Sequence, residues 1–326
     1  MSTSPGYSNC HAGHTGTAPD LQKVGGGIRR FSEGLQNCAL HFPDLWFIVR
    51  KKSQQRKEES MKTAVCIKQV PGTSQVEIDP VTGVLKRDGV ESKMNPYDLY
   101  ALETALRFKQ QYGGEITVIT MGPPQAQAVI REAFMMGVDH GVLLSDRRFG
   151  GADVLATSYT LSQGLQAAGP FDLIICGKQT TDGDTAQVGA ELAEFLGIPH
   201  VTNVCKVHGI EAETLEADLD QPLSIATAKI PFPCLITVEK GIFEPRLPSY
   251  KRKKETADRQ IRVLTLDDLP DKDPAHYGLN GSPTQVKRIF PPENSNTREM
   301  WEGDAGELSG RLFRFLDSHK YLQQLR

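Results

Sequence analysis

The sequence lacks long apolar runs, a dominant charge and paired cysteines, and each absence excludes a class of protein. None of its 326 residues lies in an apolar run near the roughly 18 residues that span a bilayer. Its 37 Lys and Arg are balanced by 40 Asp and Glu, which leaves no broad basic field for nucleic acid or an acidic membrane surface. The six cysteines form no C-x-x-C pair and no Cys/His metal spacing. We therefore expect no membrane insertion, no nucleic-acid partner and no disulfide or zinc scaffold, in a protein of the reducing cytoplasm.

Motifs of hydrolases, metalloenzymes and common nucleotide folds are missing as well. No G-x-G-x-x-G follows the first predicted strand, and the chain contains no G-x-x-x-x-G-K-[ST], H-E-x-x-H or G-x-S-x-G. The eight histidines are scattered, and no Ser or Cys has an evident His partner. The sequence therefore predicts no metal site and no acid–base or nucleophilic catalytic residue.

Residues 1–60 differ in amino-acid composition from the rest of the chain. They contain Gly25-Gly26-Gly27, many serines, and eight basic against five acidic residues. The apolar run at 45–49 is too short for a membrane span and too far from the terminus for a signal-peptide core. The residues at 56–60 can be encoded by a purine-rich ribosome-binding sequence just ahead of Met61. Our hypothesis is that Met61 is the natural start and 1–60 is translated upstream sequence; the alternative is a genuine disordered extension.

From residue 61 onward, strand-like and helix-like segments alternate. Apolar strands flanked by helices indicate a parallel sheet that is covered on both faces. Strands are predicted at 62–70, 115–121, 141–145 and 173–176, and helices at 95–112, 126–136, 152–168 and 185–196. The stretch 75–90, with Pro80 and Gly83, is predicted to be a small excursion or hairpin.

The pattern changes after residue 200. Strand-like runs at 201–207, 214–219, 224–229 and 234–238 follow one another without helices, which indicates antiparallel additions at the sheet edge. A Pro-rich linker leads to a final amphipathic helix at 305–325, whose apolar face holds Leu308, Leu312, Phe315, Leu316 and Leu322. Such a helix folds back or docks on another subunit. We therefore predict an α/β fold with a doubly wound, mostly parallel sheet, an α/β domain at 61–255 and a C-terminal arm and helix at 256–326.

The segment after the 173–176 strand carries the strongest functional signal, GKQTTDGDTAQVG at 177–189. Small polar residues there lead from a buried strand into a helix. Ligands of open α/β sheets bind at such strand ends, and the free amides of a first helical turn suit a phosphate. Gly183 and Gly189 would permit close approach of the backbone to the ligand and the next strand. The alternative is an ordinary βα loop with Asp184 as the helix cap.

Three further loops are expected at the same edge of the sheet, beginning at Cys66, Asn95 and Met121. Taken singly, Cys66 and Met121 are expected to pack in the core, and Asn95 to cap a helix that begins at Pro96. Together with the 177–189 segment, these loops would surround one crevice, which favours a nucleotide.

These segments resemble the β subunit of electron transfer flavoproteins. The resemblance rests on five segments in the family's order, IKQVP at 67–71, KMNPYD at 93–98, MGP at 121–123, GKQ at 177–179 with DGDTAQVG at 182–189, and EPR at 244–246. It covers about 61–255, leaves 1–60 outside and covers the C-terminal arm only loosely. It implies a fold of the adenine-nucleotide α-hydrolase type and a heterodimer with an α subunit.

The resemblance also implies a cofactor. In ordinary members the β subunit holds AMP, and the α subunit holds the FAD that carries electrons. In electron-bifurcating members a second FAD takes the place of AMP, and NADH reduces its flavin at the subunit junction. The DGDTAQVG segment with Thr180-Thr181 resembles the bifurcating form, and it also resembles β subunits that accompany caffeyl-CoA reductase or lactate dehydrogenase. This implies FAD as cofactor, NADH as substrate, ferredoxin as low-potential acceptor and an acyl-CoA or lactate dehydrogenase as partner. Two alternatives stay open: a non-bifurcating subunit with AMP, and a nucleotide-sensing stress-type domain.

Roles for single residues follow from the same resemblance. The amides of 184–189 and the Thr185 hydroxyl would hold the diphosphate. The adenosine end would be lined by Cys66, Asn95, Asp98 and Met121. The ribityl chain or NADH would lie nearer Gln179, Thr180 and Thr181. No catalytic side chain is implied, because the flavin carries the chemistry. The implied cofactor-binding residues are Cys66, Asn95, Asp98, Met121, Gly177, Gln179, Thr180, Thr181, Asp182, Gly183, Asp184, Thr185, Ala186, Gln187, Val188 and Gly189.

Residues 240–250 resemble the family's recognition loop, which docks on acyl-CoA dehydrogenases. The implied docking residues are Ile242, Phe243, Glu244, Pro245 and Arg246. Ile242 is expected to be an exposed apolar anchor beside charges, as suits a transient partner site. The basic run KRKK at 251–254 is expected to be a solvated face, or to steer an acidic partner such as ferredoxin. The C-terminal helix is expected to dock on the α subunit.

Overall fold

The computed structural model describes residues 60–72, 92–211, 213–286 and 299–322, all within the unit Ser60–Arg326. The expectations for 1–59, for the 75–90 excursion and for the last residues of the C-terminal helix lie outside the described residues. The expected boundary between domain and arm at residue 255 stays a prediction.

One nine-stranded sheet organises this part of the chain. Its strands, in chain order, are β1 (Lys62–Cys66), β4 (Glu115–Met121), β5 (His140–Leu144), β6 (Leu173–Gly177), β7 (His200–Glu211), β8 (Thr214–Gln221), β9 (Ser224–Pro231), β10 (Cys234–Val238) and β11 (Arg262–Leu264). Their spatial order is β11-β5-β4-β1-β6-β10-β7-β8-β9. The short strands β2 (Gln69–Pro71) and β3 (Ser92–Met94) pair antiparallel in a sheet of their own.

The sheet is parallel from β11 to β7 and antiparallel only where β7, β8 and β9 pair. Six helices accompany it among the described residues: α1 (Pro96–Tyr112), α2 (Gln127–Met136), α3 (Val154–Ala168), α4 (Val188–Leu196), α5 (Tyr250–Glu255) and α6 (Ala305–Ser318). The predicted α/β class, a mostly parallel sheet with antiparallel additions at one edge, is therefore confirmed. Helix α5 contains the basic run at 251–254, and strand β11 lies in the expected C-terminal arm.

The helices cover both faces of the sheet, as doubly wound folds require. Because side chains alternate along a strand, neighbouring residues of β1 enter different cores. Val65 packs with the apolar residues of α1 and α2 on one face, and Ala64 packs with those of α3 and α4 on the other. Strand β1 is consequently buried on both sides from Thr63 onward, in agreement with the buried strand predicted there.

Two of the wrongly predicted boundaries lie at the carboxyl edge of the sheet. The expected strand 62–70 stops at Cys66, because the chain turns away there and the Lys68 amide donates to the Asp98 carboxylate instead of to a strand. The helix expected from 185 begins at Val188, since Asp184 and Ala186 have φ values of 51° and 56°. A right-handed helix cannot contain such left-handed residues.

Helix α6 buries none of its side chains against the described part of the chain. The helix expected to reach residue 325 ends at Ser318, because the chain turns at 319–322, so Leu322 lies beyond the apolar face. Leu312 and Phe315 are exposed on that face. Within the described residues, no helix combines the length and the apolar character needed to cross a membrane.

Candidate functional site

The candidate site lies where the winding of the sheet reverses. Strands β1 and β6 are parallel neighbours, with Cys66 opposite Cys176. From β1 the chain continues to β4 on one side, whereas from β6 it continues to β7 and β10 on the other side. The two following loops therefore diverge and leave a crevice beyond the carboxyl ends of the strands, the place where open α/β sheets bind ligands.

One buried side chain, that of Asn95, holds the two loops together. Its Nδ2 donates to the carbonyl oxygen of Gln179 at 2.8 Å and to Asp98 Oδ1 at 3.0 Å. Its Oδ1 accepts from the Thr181 amide at 3.2 Å, and its own amide donates to the Lys68 carbonyl at 2.9 Å. Asn95 occupies the N-cap position of α1, as expected, but it makes no side-chain capping bond. Its amide group instead fixes the backbone after β6 to the start of α1 and to the loop after β1.

Asp98 reinforces the contacts that Asn95 makes between the loops. Its Oδ2 accepts the Lys68 amide at 2.8 Å, so the carboxylate joins the loop after β1 to Asn95. Burial raises the pKa of Asp98 from its ordinary value of 3.8 to about 7, and the bonds from Asn95 and Lys68 oppose the rise only in part. Asp98 therefore exchanges a proton near neutral pH within the framework of the crevice.

Lys68 is a site residue that the sequence-based set omitted. Its Nζ reaches Asp182 Oδ1 at 2.8 Å, so an ion pair spans the two loops at the surface. Burial works to raise the pKa of Asp182, but the hydrogen bond and charge of Lys68 outweigh it and hold the pKa below its ordinary value. Lys68 stands in the segment 67–71 that carried the family resemblance, and that was the available signal.

The loop after β6 closes on itself through Thr180. Its carbonyl accepts the Asp184 amide at 3.1 Å, and its hydroxyl accepts the Gly183 amide at 3.3 Å. Gln179 Nε2 donates to Asp184 Oδ1 at 2.5 Å. The residues from 181 to 187 are exposed, so this turn presents its outer edge to solvent.

Helix α4 starts without a side-chain cap. Gln187 occupies the N-cap position and makes no capping bond, so Asp184 is not the helix cap. The first amides of a helix have no partner inside it, and here no N-cap side chain takes them. The amide of Asp184, included in the predicted diphosphate site, already donates to Thr180. The available donors are therefore the main-chain amides of the first turn of α4, beginning at Val188. Glu191 in the same turn accepts from Ser158 at 3.1 Å, which draws its carboxylate toward α3.

Two glycines near the crevice lie where a larger residue would clash with a neighbouring element, and a third glycine does not. A Cβ on Gly177 would come within 2.6 Å of Asp98 Oδ1, and a Cβ on Gly189 would come within 2.4 Å of the Thr237 Cγ2 on β10. Gly177 and Gly189 thus let α1 and α4 approach the strands, as predicted for Gly189. A Cβ on Gly183 would meet only the Thr180 hydroxyl at 3.5 Å.

The remaining predicted residues sit around the same edge. Cys66 is buried at the end of β1, and Met121 is partly buried at the end of the adjoining β4. Thr185, Ala186 and Gln187 are exposed between the turn and α4. The structure therefore gathers the predicted residues at one edge; which of them contact a ligand stays a prediction.

The loop at 240–250 differs from the expectation in its exposed residue. Ile242 packs against the core and Phe243 lies under the Arg107 guanidinium, 4.5 Å from the ring centre. Ile242 is thus not an exposed anchor, since its side chain helps to fasten the loop. The exposed apolar side chain is Leu247, which keeps 87% of its surface accessible.

Arg246 ties this loop to α1. Its Nε and Nη2 donate to the Glu103 carboxylate at 2.7 and 3.0 Å, and Glu103 is 2% exposed. Arg107 reaches the same carboxylate from one turn along the helix at 3.0 Å. Burial works to raise the pKa of Glu103, but the bonds and charge of Arg246 outweigh it and hold the pKa below its ordinary value.

The residues of the crevice fit a nucleotide that carries phosphate. Uncapped amides at the start of α4 can donate to anionic oxygens, and the exposed Thr185 and Gln187 add polar groups beside them. No cluster of three or more His, Cys, Asp or Glu suited to a metal ion occurs in the described ranges. The arrangement offers hydrogen-bond donors that a ligand could use.

Comparison with known proteins agrees with this geometry. Residues 82–269 match the model of the electron transfer flavoprotein domain. The electron transfer flavoprotein subunit beta of Clostridium acetobutylicum is 43% identical over 262 residues, which cover 80% of this chain and 100% of the relative. Protein FixA of Bradyrhizobium diazoefficiens is 43% identical over 238 residues, 71% of this chain and 83% of the relative. CarD, a subunit of the caffeyl-CoA reductase–Etf complex of Acetobacterium woodii, is 42% identical over 256 residues, 77% of this chain and 96% of the relative.

The raised pKa of Asp98 predicts a pH dependence of stability. Because the folded protein holds this proton more tightly than the unfolded chain, Asp98 favours folding below about pH 4 and loses that contribution as the pH rises through about 7. Asp98→Asn removes the titration. The free energy of unfolding in urea, wild type minus variant, should therefore fall between these pH values and level off outside them. Asp258→Asn removes one carboxyl at an exposed position and is the matched control. Parallel curves for wild type and Asp98→Asn would contradict the assignment.

Glu103 offers a comparison between its two arginine partners. Arg246→Ala removes two bonds to a buried carboxylate and should lower the free energy of unfolding by about 1.5–3 kcal/mol. Arg107 is 48% exposed, and Arg107→Ala should cost less than about 1 kcal/mol. Urea unfolding of both variants measures the difference. Equal losses would show that Arg246 does not fasten the loop.

Proposed function

This chain belongs to the electron transfer flavoprotein family, in which it is a β subunit that pairs with an α subunit, and we propose that its crevice holds FAD and that the heterodimer bifurcates electrons. The nucleotide-sensing alternative is set aside by the family match. The observation that supports the cofactor proposal most directly is the uncapped start of α4 at the switch point of the sheet.

The chain's own residues would bind and orient the cofactor. The amides at Val188 and beyond would donate to the diphosphate, with the Thr185 hydroxyl beside them. Asn95 and Asp98 act as positioning residues, because their side chains hold the loops that form the crevice. When bound, FAD supplies the one- and two-electron chemistry. AMP is the alternative ligand and would use the same amides through a single phosphate.

The bifurcating assignment is supported by the loop sequence and by one relative. The DGDTAQVG segment at 182–189 resembles the bifurcating form, and CarD of a caffeyl-CoA reductase–Etf complex is among the similar proteins. On this basis we propose NADH as reductant, ferredoxin as low-potential acceptor, and an acyl-CoA or lactate dehydrogenase as the partner served by the FAD of the α subunit. The cytoplasm remains the proposed compartment.

The loop at 240–250 is the proposed docking site for the dehydrogenase. Ile242, Phe243 and Arg246 fasten the loop to the body of the protein. Leu247 is left as an exposed apolar tip, and Glu244 is exposed beside it. A fixed loop with an apolar tip loses little conformational entropy when it docks. Helix α6, which buries none of its side chains in the described part of this chain, is proposed to dock on the α subunit.

The flavin count tests the bifurcating proposal. The heterodimer purified with its α subunit should contain two FAD, one of them in this chain, and NADH should bleach the flavin absorbance. Flavin is quantified after release by denaturation, and AMP is measured in the same extract. One FAD with one AMP per heterodimer would contradict the proposal and favour the non-bifurcating alternative.

Gln187→Glu tests the placement of the phosphate. A carboxylate at the start of α4 is favourable to the helix, so the free energy of unfolding should not fall. It would repel a diphosphate at the same amides, and the affinity for FAD should fall by at least about fivefold, corresponding to roughly 1 kcal/mol. Gln221→Glu places the same charge in the exposed β8–β9 hairpin and is the matched control. Equal affinity in both variants, measured by equilibrium dialysis, would place the phosphate elsewhere.

A further inference from the structure

Cys66 and Cys176 face each other at the base of the crevice. They are register partners on the parallel neighbours β1 and β6. Both side chains enter the same core, beside Leu192 of α4, and both are free thiols. Nothing in the nucleotide-binding proposal uses the pairing of these two sulfurs.

The separation of the two residues suits a disulfide. Parallel neighbours lie about 4.8 Å apart, and this falls within the range of about 4.4–6.8 Å between the Cα atoms of bonded cysteines. The two side chains lie on the same face of the sheet and pack in one core. The Cβ atoms of the two cysteines are separated by about the strand spacing. In a disulfide the Cβ–Cβ distance is only about 3.8 Å, so formation of the bond would draw the two strands together. A bond formed under such strain is readily reduced again.

The other described cysteines have no comparable neighbour. Cys234 on β10 is fully buried and stands opposite Leu173. Cys205 lies on β7, where its sulfur contacts the Asp218 carbonyl. Among the described residues, only Cys66 and Cys176 are paired with each other, and they retain exposed fractions of 9% and 5% at the ligand edge.

We propose that Cys66 and Cys176 form a reversible cross-strand disulfide, closed by a two-electron oxidant of the peroxide class and shielded by the nucleotide bound above it. The shielding rests on the proposed function, since it requires the nucleotide to occupy this crevice. The disulfide itself requires only the geometry of the two strands.

The reaction balances with hydrogen peroxide as oxidant. The neighbouring Cys66 and burial raise the pKa of Cys176 well above its ordinary value. The attack on peroxide begins at Cys66, whose side chain keeps the larger exposed fraction of the two. The Cys66 sulfur breaks the O–O bond, becomes a sulfenic acid and releases one water. The Cys176 sulfur then displaces the hydroxyl group, its proton leaves with that group as a second water, and the S–S bond forms. The two sulfurs together lose two electrons, which the peroxide gains.

Formation of the disulfide would also affect binding of the nucleotide. Gly189 in the first turn of α4 lies directly over Cys176, because a Cβ built on it would come 3.7 Å from the Cys176 Cβ. Movement of β6 toward β1 therefore displaces the surface on which the phosphate-binding turn rests. Linkage then requires the reverse effect: a nucleotide that prefers the open pair disfavours the disulfide.

The test maps the disulfide in the full-length protein, stripped of nucleotide by dialysis against potassium bromide. The protein is treated with hydrogen peroxide, its free thiols are blocked with iodoacetamide, and it is digested with trypsin. Cys66 lies in the peptide 63–68 and Cys176 in the peptide 149–178, so a link between them is one cross-linked species in the mass spectrum. The link is first sought in the wild-type chain. Cys176→Ser should abolish it, and Cys205→Ser, outside the pair, is the matched control. A parallel sample contains FAD or AMP at ten times its dissociation constant, measured by equilibrium dialysis.

We expect the link in the stripped protein, its reversal by dithiothreitol, and closure slowed roughly tenfold by nucleotide, because only the empty fraction reacts. Closure at an unchanged rate with nucleotide bound would leave the disulfide standing and overturn the placement of the nucleotide above it. Absence of the link in the stripped protein, with both cysteines alkylated, would overturn the disulfide while leaving the proposed cofactor site untouched.

Discussion

The candidate site depends on the hydrogen bonds of one buried amide. At a switch point, the loops that follow β1 and β6 leave in opposite directions, and nothing in the sheet ladder keeps them at a fixed separation. The Asn95 side chain bonds to Gln179 and Thr181 after β6 and to Asp98. Asp98 and the Asn95 main-chain amide bond in turn to Lys68 after β1. Since a buried donor without a partner costs about 1–3 kcal/mol, each bond of this group helps to exclude other arrangements of the loops. The shape of the crevice is thus set by polar contacts within the protein.

Helix α1 connects this crevice with the proposed docking loop. Asp98 in its first turn belongs to the crevice network, and Glu103 further along holds Arg246 of the loop. The two carboxylates are separated by about 8 Å along the helix axis. A ligand or partner that shifts α1 at one end would act on a buried carboxylate at the other. Both carboxylates are held by several bonds, and α1 therefore behaves as a single fixed element between the two surfaces.

Much of the fold was predictable from the sequence, because apolar runs and their spacing are properties of the chain alone. The apolar run at 64–67 indicated a buried strand, and the residues of α1 and α3 indicated their helices. The errors lie where tertiary contacts override local preference. The start of α4 depends on the left-handed backbone conformation of Asp184 and Ala186. Nothing in the local sequence indicated that these two residues adopt it. β11 is only three residues long, and its pairing with β5 defines it.

The site was predictable as a set of loops but not as a set of contacts. Strand ends and small polar residues located the crevice, whereas the pairing of Lys68 with Asp182 joins residues far apart in sequence. In the docking loop, apolar character suggested Ile242 as the exposed residue, although Leu247 is equally apolar and only packing distinguishes them.

The two left-handed residues ahead of α4 have a kinetic consequence. A non-glycine residue such as Ala186 costs about 1–2 kcal/mol in this conformation, and the rest of the fold must offset that cost. A turn that the fold itself holds in this conformation would need little rearrangement when a ligand binds. The rate of association would then be governed by diffusion into the crevice, and differences in affinity among ligands would reside mainly in how slowly they leave.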